Sequence, residues 1–422
     1  MIRRAFPFLA LLALATAVPA VAQDKPYHLG GHVKYRFVGT TFPEDSLFRE
    51  LAGTTSVDQG LDARLVFGFR RGGWDVRADY QFIALYGEKI EYTRDFPPEL
   101  QLLFGRLPTD ERRLFDLTYV FQDEGQTAVL NRLDRLSVGY TGEKIVARFG
   151  RQAVSWGNGL VYTPMDIFNP FDPAAVDKEY KTGDDMLYGQ YLRNNGHDFQ
   201  GVMVFRRNVV TGDVESDVGS LAIKYHGLSG GSEYDALVAQ HYGDTLLGAG
   251  GNTSVGGAVW RGDLVVTFGE EDTVASAVTS LTYSWIWGGK NISGIVEYFY
   301  NGFGQSGGEY DTDSLANNPE LLERFARGEL FTLGRHYLAG SAVFEITPLF
   351  LLTPNVFVNL ADPSALVQVV TQNDLREDLL LLGALNVPLG PNGSEFGGIG
   401  TDLPGLYLSS GPSIFVQLAW YF

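Results

Sequence analysis

The chain ends in SIFVQLAWYF, residues 413–422, and this stretch decides the fold class. Side chains alternate between the two faces of a β-strand. One face of this strand therefore carries five apolar residues: Ile414, Val416, Leu418, Trp420 and Phe422. A tilted strand of about ten residues with one apolar face crosses the hydrocarbon layer of a membrane. Because an exposed sheet edge ending in aromatics would aggregate in water, we expect this strand to close a barrel by pairing with the first strand.

The last aromatic side chains carry a second expectation. A terminal aromatic residue after alternating apolar residues resembles the signal that the barrel assembly machinery of the outer membrane reads. We therefore assign Trp420 and Phe422 as the assembly signal and the assembly machinery as a partner.

The start of the chain predicts export. Arg3 and Arg4 precede an apolar run at 6–18, and Ala20-Val21-Ala22 forms a small-residue cleavage site before Gln23. This order is typical of a secretory signal peptide, with a membrane anchor as the alternative. We expect residues 1–22 to be the signal peptide and 23–422 a single barrel domain in the outer membrane of a Gram-negative cell.

Composition excludes several classes of function. The chain has no Cys, so it forms no disulfide and has no thiolate chemistry. Its net charge of −18 argues against nucleic acid as a partner. Outer-membrane lipid and lipopolysaccharide are the expected surroundings, with divalent cations bridging the like charges. No cofactor or metal is predicted. The acidic clusters at 184–185, 270–272 and 309–313 could hold Ca²⁺ but are interpreted as solvated loop tips.

The same alternation recurs along the chain, at 32–37, 74–82 and 276–287. A soluble β-sandwich would bury the apolar face, whereas a membrane barrel turns it towards lipid and the charged face towards the lumen. The pattern alone does not separate the two. The export signal, the terminal Phe422 and the absence of Cys favour the barrel.

Connections between strands alternate in length. Short turns rich in Gly and Asn lie at 70–73, 141–144, 193–196, 288–291, 347–348 and 376–378. Long connections lie at about 40–59, 87–125, 153–184, 301–333 and 390–411. This asymmetry predicts an antiparallel barrel of about 18 strands with short periplasmic turns and long extracellular loops. Sixteen strands is the alternative, because 252–271 is rich in Gly and its hairpin at 261–263 is weak.

Two of the long connections have helical patterns. Leu100, Leu103, Phe104 and Leu107 follow a helical spacing within 97–116. Residues 318–328 have an Asn cap, Pro at the first position, a basic last turn and a Gly stop, which predicts a compact helix. Such loops either lie on the surface or fold over the mouth of the barrel.

Alternation also assigns charges to the lumen of the first five strands: Lys34, Arg36, Asp62, Arg64, Asp75, Arg77, Asp79, Arg135 and Arg148. Buried charges must pair, so one interpretation is bracing of the wall, with cross-strand pairs between Asp62 or Arg64 and Asp75 or Arg77. The other is an Arg-rich lumen that attracts anionic or zwitterionic solutes.

The connection after Arg151 is the strongest local signal. Trp156 is followed by glycines, and Asn169-Pro170 and Asp172-Pro173 impose extended, rigid turns. We expect this loop to fold inward as a constriction, with a cap outside the barrel as the alternative. Candidate bases that pin it are Arg135, Arg148 and Arg151, the last facing inward only if a bulge follows Gly150. Their candidate partners are Asp166, Asp172, Asp177 and Glu179.

The same region carries a family resemblance. The stretches RQAVSWGNGL (151–160), MDIFNPFDP (165–173) and DKEYKTGDD (177–185) lie in a block at about 130–192. This block resembles proteobacterial outer-membrane barrels related to the alginate-export-type porins. The resemblance implies a porin or an exporter and does not imply an alginate cargo.

These observations predict a channel for small polar or anionic solutes, with a small molecule as cargo. The alternative is a non-conducting barrel that binds lipid or serves as the outer-membrane partner of a transport complex. A lipid hydrolase is a remote third, because Asn195-Gly196-His197 is similar to a phospholipase motif but Gln200 stands where Ser is expected.

Overall fold

A computed structural model describes residues 26–96, 101, 103, 105, 107–270, 272–308 and 310–422. The predicted signal peptide lies outside these residues, as do Leu100 and Phe104 of the predicted first loop helix. Most of the described chain is β-strand.

Twenty-one strands follow one another along the described residues. Their bounds are β1 (Tyr27–Thr41), β2 (Thr55–Arg71), β3 (Trp74–Tyr86), β4 (Thr118–Glu124), β5 (Thr127–Thr141), β6 (Ile145–Gln152), β7 (Asp184–Leu192), β8 (Asp198–Val204), β9 (Ser220–Ser229), β10 (Ser232–His241), β11 (Asp244–Val255), β12 (Ala258–Phe268), β13 (Thr273–Trp287), β14 (Lys290–Tyr300), β15 (His336–Thr347), β16 (Phe350–Asn359), β17 (Ser364–Arg376), β18 (Leu379–Leu389), β19 (Ile399–Gly400), β20 (Tyr407–Leu408) and β21 (Ser413–Tyr421).

The wall of the barrel is a closed antiparallel sheet. β3 pairs with β5, β18 pairs with β21, and β21 pairs with β1, so the sheet has no open seam. Strand β4 pairs only with one end of β5, and β19 with β20 form a separate small sheet. The remaining 18 strands form the wall, which confirms the predicted count.

The closing strand has the predicted faces. Ile414, Val416 and Phe422 are exposed on the outside, whereas Gln417 and Ala419 are buried on the inside. At the seam, the Gly31 N–H donates to the Phe422 carbonyl at 2.9 Å, and the Phe422 N–H donates to the Gly31 carbonyl at 3.1 Å. The apolar alternation of 413–422 thus faces outward, where lipid would lie.

Short turns join the strands at one end of the barrel, the turn end. Gly256 and Gly257, with φ of 56° and 87°, make the hairpin between β11 and β12. The prediction of a hairpin at 261–263 was wrong, because these residues lie inside β12. Two glycines with positive φ form the tight turn that a two-residue hairpin requires.

The long connections meet at the opposite end, the loop end. They span 42–54, 87–126, 153–183, 301–335 and 390–412, close to the predicted bounds. A further connection at 205–219 was not predicted. Three connections at the loop end are short, at 242–243, 269–272 and 360–363.

The part of these loops that the structure describes contains four short helices: α1 (Leu47–Ala52), α2 (Glu88–Arg94), α3 (Thr312–Ala316) and α4 (Pro319–Arg327). Helix α4 confirms its prediction: the Asn318 side chain accepts the Leu321 N–H, and Gly328 ends the helix with φ of 70°. Residues 107–116 are not helical, so the helical pattern of 97–116 does not extend through its second half. None of the helices in the described ranges has the length and apolarity to cross a bilayer.

The seam generates a first prediction. Replacing Phe422 with Ser removes an apolar ring from the closing strand, so we expect a lower yield of folded barrel, measured as the fraction that migrates faster on unheated gels. Trp287→Ser is the matched control, because Trp287 is an exposed aromatic at the turn end, away from the seam. Equal yields for the two variants would contradict the prediction.

Candidate functional site

The connection between β6 and β7, residues 153–183, lies inside the barrel and is called the inner loop here. Trp156, Met165, Ile167 and Phe168 are buried in one apolar cluster with side chains of the wall. The wall residues belong to six different strands and include Met186, Val202, Ala222, Leu237, Leu246 and Val265. The loop therefore packs against the inner surface of β7 to β12, as an inward-folding loop requires.

Carboxylates of the wall hold the next part of the inner loop. Glu297 on β14 accepts three consecutive N–H groups, those of Leu160, Val161 and Tyr162, at 2.8, 3.0 and 2.6 Å. Asp263 on β12 accepts the N–H groups of Asn158 and Gly159 at 2.6 and 3.2 Å. An irregular backbone buried in a lumen needs such acceptors, because an unpaired N–H is costly.

Aromatic rings continue the contact around the barrel. Tyr162 stacks on Phe299 of β14 with ring centroids 4.7 Å apart and an angle of 11° between the planes. Its ring also lies 5.8 Å from that of Tyr337 on β15. Farther along, Gln368 on β17 donates to the Ala174 carbonyl.

The last part of the loop reaches the strands beside the seam. Lys34 on β1 forms ion pairs with Asp177 at 2.7 Å and Glu179 at 2.6 Å. The Arg64 guanidinium of β2 lies over the Tyr180 ring, 4.1 Å from its centroid. Arg135 on β5 donates to the Lys181 carbonyl at 2.5 Å. The inner loop thus contacts wall strands around most of the circumference.

The pKa values of Asp166 and Asp177 in the inner loop are shifted in opposite directions. Burial raises the pKa of Asp166 to about 6, although Lys181 contacts it and opposes the shift. Burial would also raise the pKa of Asp177, but its contacts with Lys34 and Gln417 lower it overall. Asp172 accepts the Ala174 N–H within the loop itself.

A bulge in β5 builds a buried network of charges on the wall. The register with β3 shifts between Asp79 and Tyr80, so Asp134 and Arg135 both lie buried although they are adjacent. Asp134 pairs with Arg64, Arg132 and Arg135, each at 2.8 Å. Sequence alternation did not predict Asp134 or Arg132, because it cannot detect a bulge.

The predicted cross-strand pairs between Asp62 or Arg64 and Asp75 or Arg77 were wrong. Arg64 lies opposite Gln81 and Asp62 opposite Ile83, so the two sets are out of register. The contacts that form instead are Gln81 to Asp62, Arg77 to Asp79 and Arg148 to Asp75.

The predicted pairing of the three bases with the acids of the loop was also wrong. Arg148 contacts Asp75 of the wall at 3.5 Å. Arg151 is fully buried and pairs with Asp110 and Asp185, both at 2.9 Å. Gly150 has φ of 121°, which breaks the alternation after it and turns Arg151 towards these acids. Of the three bases, Arg135 contacts the inner loop, through the Lys181 backbone.

Trp156 and Arg36 complete the predicted set. The Trp156 indole N–H donates to Gln200 of β8 at 2.7 Å, which fixes the ring against the wall. Arg36 extends across Gly60 of β2 and lines an internal chamber. Gly60 leaves space for this guanidinium, because a Cβ there would lie 2.5 Å from Arg36 Nε.

Four connections at the loop end pack together into a cap. Its apolar core consists of Phe42, Phe48, Phe96, Tyr310, Leu315, Leu321, Leu333, Ile399 and Leu408. Glu395 fastens the last connection to the barrel, because it accepts from the Tyr337 hydroxyl at 2.5 Å, Asn359 at 2.8 Å and the Leu333 N–H at 2.9 Å. Burial raises the pKa of Glu395 to about 7.

A chamber of about 940 Å³ lies between the cap and the inner loop. Phe42, Phe48 and Tyr92 line it from the cap, and residues 175–177 and 180–182 line it from the inner loop. Wall strands β1, β2, β3, β5 and β21 supply much of the remaining lining, including Arg36 and Asp134, and the connection 87–126 supplies further residues.

The phospholipase-like motif Asn195-Gly196-His197 lies in a short turn between two strands. His197 lies at the turn end, where its ring contacts the Tyr225 hydroxyl at 2.6 Å and the Leu228 carbonyl at 3.1 Å. Within the described ranges, no group of three or more His, Cys, Asp or Glu side chains is arranged to hold a metal ion.

Comparison with solved structures places the fold among outer-membrane β-barrels. The chain is similar to OccAB4 of Acinetobacter baumannii, with 7% identity, a TM-score of 0.55 and coverage of 95% of this chain and 99% of that one. It is also similar to Wzi of Escherichia coli, described as a carbohydrate-binding β-barrel involved in group 1 capsule assembly, with 10% identity, a TM-score of 0.52 and coverage of 92% and 83%. A BenF-like porin of Pseudomonas fluorescens Pf-5 has 9% identity, a TM-score of 0.50 and coverage of 94% and 98%.

At these identities the likeness defines the fold class alone. No family model matches the chain, and no curated protein matches its sequence. The resemblance to alginate-export-type porins therefore stays a prediction.

The Glu297 contacts generate a prediction. Glu297→Ala leaves three N–H groups of the inner loop without their acceptor, and each unpaired buried donor costs about 1–3 kcal/mol. We expect hydrogen exchange at 160–162 to accelerate by about tenfold or more, since a tenfold change needs about 1.4 kcal/mol. Ser280→Ala is the matched control, because Ser280 lies opposite Glu297 in the register and its buried hydroxyl has no hydrogen-bond partner among the described residues. Equal exchange rates in both variants would contradict the anchoring role.

Glu395 generates a pH prediction. Its pKa is raised from 4.5 to about 7 in the folded state, so the folded protein binds more protons than the unfolded chain between these values. The stability of the cap should therefore fall as pH rises through this window, by on the order of 2 kcal/mol.

Hydrogen exchange of residues 393–400, corrected for intrinsic rates, at about pH 5 and about pH 8 measures this effect. Glu395→Gln should abolish the dependence, whereas Asp402→Asn in the same connection should retain it. A cap that is equally protected at both pH values in the unmodified protein would show the prediction to be wrong.

Proposed function

We propose that this protein is a channel of the Gram-negative outer membrane for small polar or anionic solutes, narrowed by its inner loop. The observation that carries the proposal is the path of residues 153–183 along the inner wall, from Trp156 against β8 to Lys181 beside β5. A barrel of 16 to 18 strands would otherwise leave a wide aqueous lumen. A loop fixed along the inner wall reduces the width of this lumen without closing the lumen completely.

Charge pairing refines the expected selectivity. Arg64, Arg77, Arg132 and Arg135 each form an ion pair with Asp79 or Asp134, which supports the bracing interpretation for these arginines. Arg36 has no carboxylate within 4.0 Å among the described residues. A preference for anionic solutes would therefore depend on Arg36 and its surroundings rather than on a continuous basic ladder.

The proposed location in the outer membrane rests on the apolar outer surface of the wall and on the predicted signal peptide. Apolar residues cover the outside of the wall, among them Leu29, Leu65, Phe67, Leu187 and Leu247. A signal peptide at 1–22 and an assembly signal at Trp420 and Phe422 would bring the chain to the outer membrane through the barrel assembly machinery. Lipid and lipopolysaccharide would then surround it.

Conductance tests the channel. Replacing residues 160–180 with a short Gly-Ser linker should raise single-channel conductance in planar bilayers and the uptake of bulky antibiotics by cells. Lys34→Ala should do so more weakly, because it removes the contacts with Asp177 and Glu179 alone.

Arg148→Ala is the matched control, since Arg148 contacts Asp75 of the wall rather than the inner loop. Its conductance should equal that of the unmodified protein. If the linker variant assembles and its conductance is unchanged, the inner loop is not the constriction, and the cap becomes the candidate.

A second candidate is a non-conducting barrel that binds lipid or serves a transport complex. The apolar core of the cap favours it, because this core covers the chamber on the side of the loop end. The absence of channel openings in planar bilayers, together with lipid that stays bound through purification, would support this candidate over the channel.

A further inference from the structure

Three neighbouring strands are among the shortest of the wall, in which β21 also has 9 residues. β6, β7 and β8 have 8, 9 and 7 residues, whereas β1 and β2 have 15 and 17. A strand needs about 9–11 residues to cross the hydrocarbon layer. β6 and β8 fall below this length, so the wall at these two strands requires another part of the chain to reach full height.

Residues 107–117, called the bridging segment here, complete the wall above these strands. β5 pairs with β6 from Leu136 to Thr141 but with β4 from Thr127 to Arg132. The bridging segment leads into β4, and Arg113 forms an isolated β-bridge with Arg206 just after β8. The segment therefore crosses the ends of β6 and β7 without a continuous ladder.

Charged side chains replace the ladder in this sector. Arg151 donates to the Phe115 carbonyl at 2.6 Å and pairs with Asp110 and Asp185. Asp185 accepts the Phe115 N–H, and Asp110 accepts the Leu117 N–H, both at 2.8 Å. The bridging segment is thus held by side-chain contacts and by two backbone hydrogen bonds to its neighbours, from the Leu133 N–H to the Leu117 carbonyl at 2.9 Å and from the Arg207 N–H to the Arg112 carbonyl at 3.0 Å.

The same segment faces both the chamber and the outside. Leu107, Pro108, Thr109 and Glu111 line the chamber. Four residues after Glu111, the exposed Phe115 ring lies 6.3 Å from the ring of Phe149, which faces outward on β6. The chamber and the lipid-facing surface therefore share this single segment as part of their boundary.

The chamber has an apolar part and a charged part. Ile83, Leu85 and Phe415 of the wall line it together with the apolar side chains of the cap. Arg36 and Lys89 line it as well, and neither has a carboxylate within 4.0 Å among the described residues. Its volume of about 940 Å³ lies within the range of small-molecule sites, about 300–1,000 Å³.

We propose that the chamber binds a single-chain amphiphile with an anionic head group, and that this ligand exchanges laterally with the membrane past the bridging segment. The proposal rests on the second candidate function above, for which it names the ligand chemistry and the route. The acyl chain lies against Ile83, Leu85 and Phe415, and the head group is bound by Arg36 and Lys89. The cap and the inner loop cover the chamber on two sides, which leaves the bridging segment, where no continuous ladder closes the wall, as the path to lipid.

Photolabelling tests the ligand. The full-length barrel in phospholipid vesicles is exposed to palmitate carrying a diazirine in its chain, with unlabelled palmitate as competitor, and the labelled residues are mapped by mass spectrometry. Competed labels should fall on chamber residues such as Ile83 and Phe415.

Arg36→Gln with Lys89→Gln should reduce this labelling by about tenfold, as the loss of about 1.4 kcal/mol of binding free energy would. Lys290→Gln with Arg376→Gln is the matched control, because both residues are cations at the turn end. Labels that avoid the chamber, or that both double variants leave unchanged, would overturn the proposed ligand.

A disulfide tests the route. The chain has no Cys, so Arg113→Cys with Arg206→Cys forms a single defined bond between the β-bridge partners. Oxidation should abolish labelling of the chamber from the bilayer, and reduction of the same sample should restore it. A second variant, Asp110→Asn, weakens the Arg151 contacts and should increase labelling of the chamber. It tests the same route if the double Cys variant fails to fold. Equal labelling before and after oxidation, or no increase in Asp110→Asn, would overturn the lateral route.

Conductance of the same samples keeps the two proposals separate. Steady channel openings without labelling of the chamber would overturn the amphiphile proposal but would support the channel proposal. Labelling of the chamber in a silent bilayer would support the amphiphile proposal and count against the channel.

Discussion

Every backbone N–H and C=O group at membrane depth needs a partner, because lipid supplies none. The pairing of β21 with β1 satisfies this constraint along the seam, and the ladder of 18 strands satisfies it around most of the wall. The outward apolar residues, the polar lumen and the alternation in the sequence all follow from this closed sheet. The parts of the chain that leave the ladder are the parts that need a separate physical explanation.

Carboxylates take over where the ladder ends. Glu297 and Asp263 accept five N–H groups of the inner loop between them, and Asp110 and Asp185 accept two of the bridging segment. An ionised carboxylate accepts several hydrogen bonds at once and forms stronger ones than a neutral group. Part of the large acidic excess of the chain is therefore structural, and these buried acids contribute no surface for a cationic partner.

The sequence predicted the features that depend on local periodicity and missed those that depend on register. The face of β21, the count of 18 strands, the bounds of the inner loop and helix α4 all have short-range patterns. The bulge at Asp134, the turn at Gly150 and the partners of Lys34 do not, because they depend on which residues of distant strands lie opposite each other. The hairpin at Gly256-Gly257 carried a signal, a pair of glycines, that the Gly-rich surroundings concealed.

The pairing of the wall charges changes how selectivity must arise. If the arginines of β2, β3 and β5 were unpaired, their positive electrostatic potential would attract anions along the whole lumen. Each of these arginines instead lies within 4 Å of Asp79 or Asp134, and the two carboxylates cancel half of the charge of Arg64, Arg77, Arg132 and Arg135, which weakens their field. The unpaired cations Arg36 and Lys89 instead lie beside apolar surface in the chamber. A solute that carries both a negative charge and an apolar chain uses both parts of that surface, whereas a small hydrated anion uses one. Under the proposals made above, discrimination by charge and apolarity would take place in the chamber, and the inner loop would act on size.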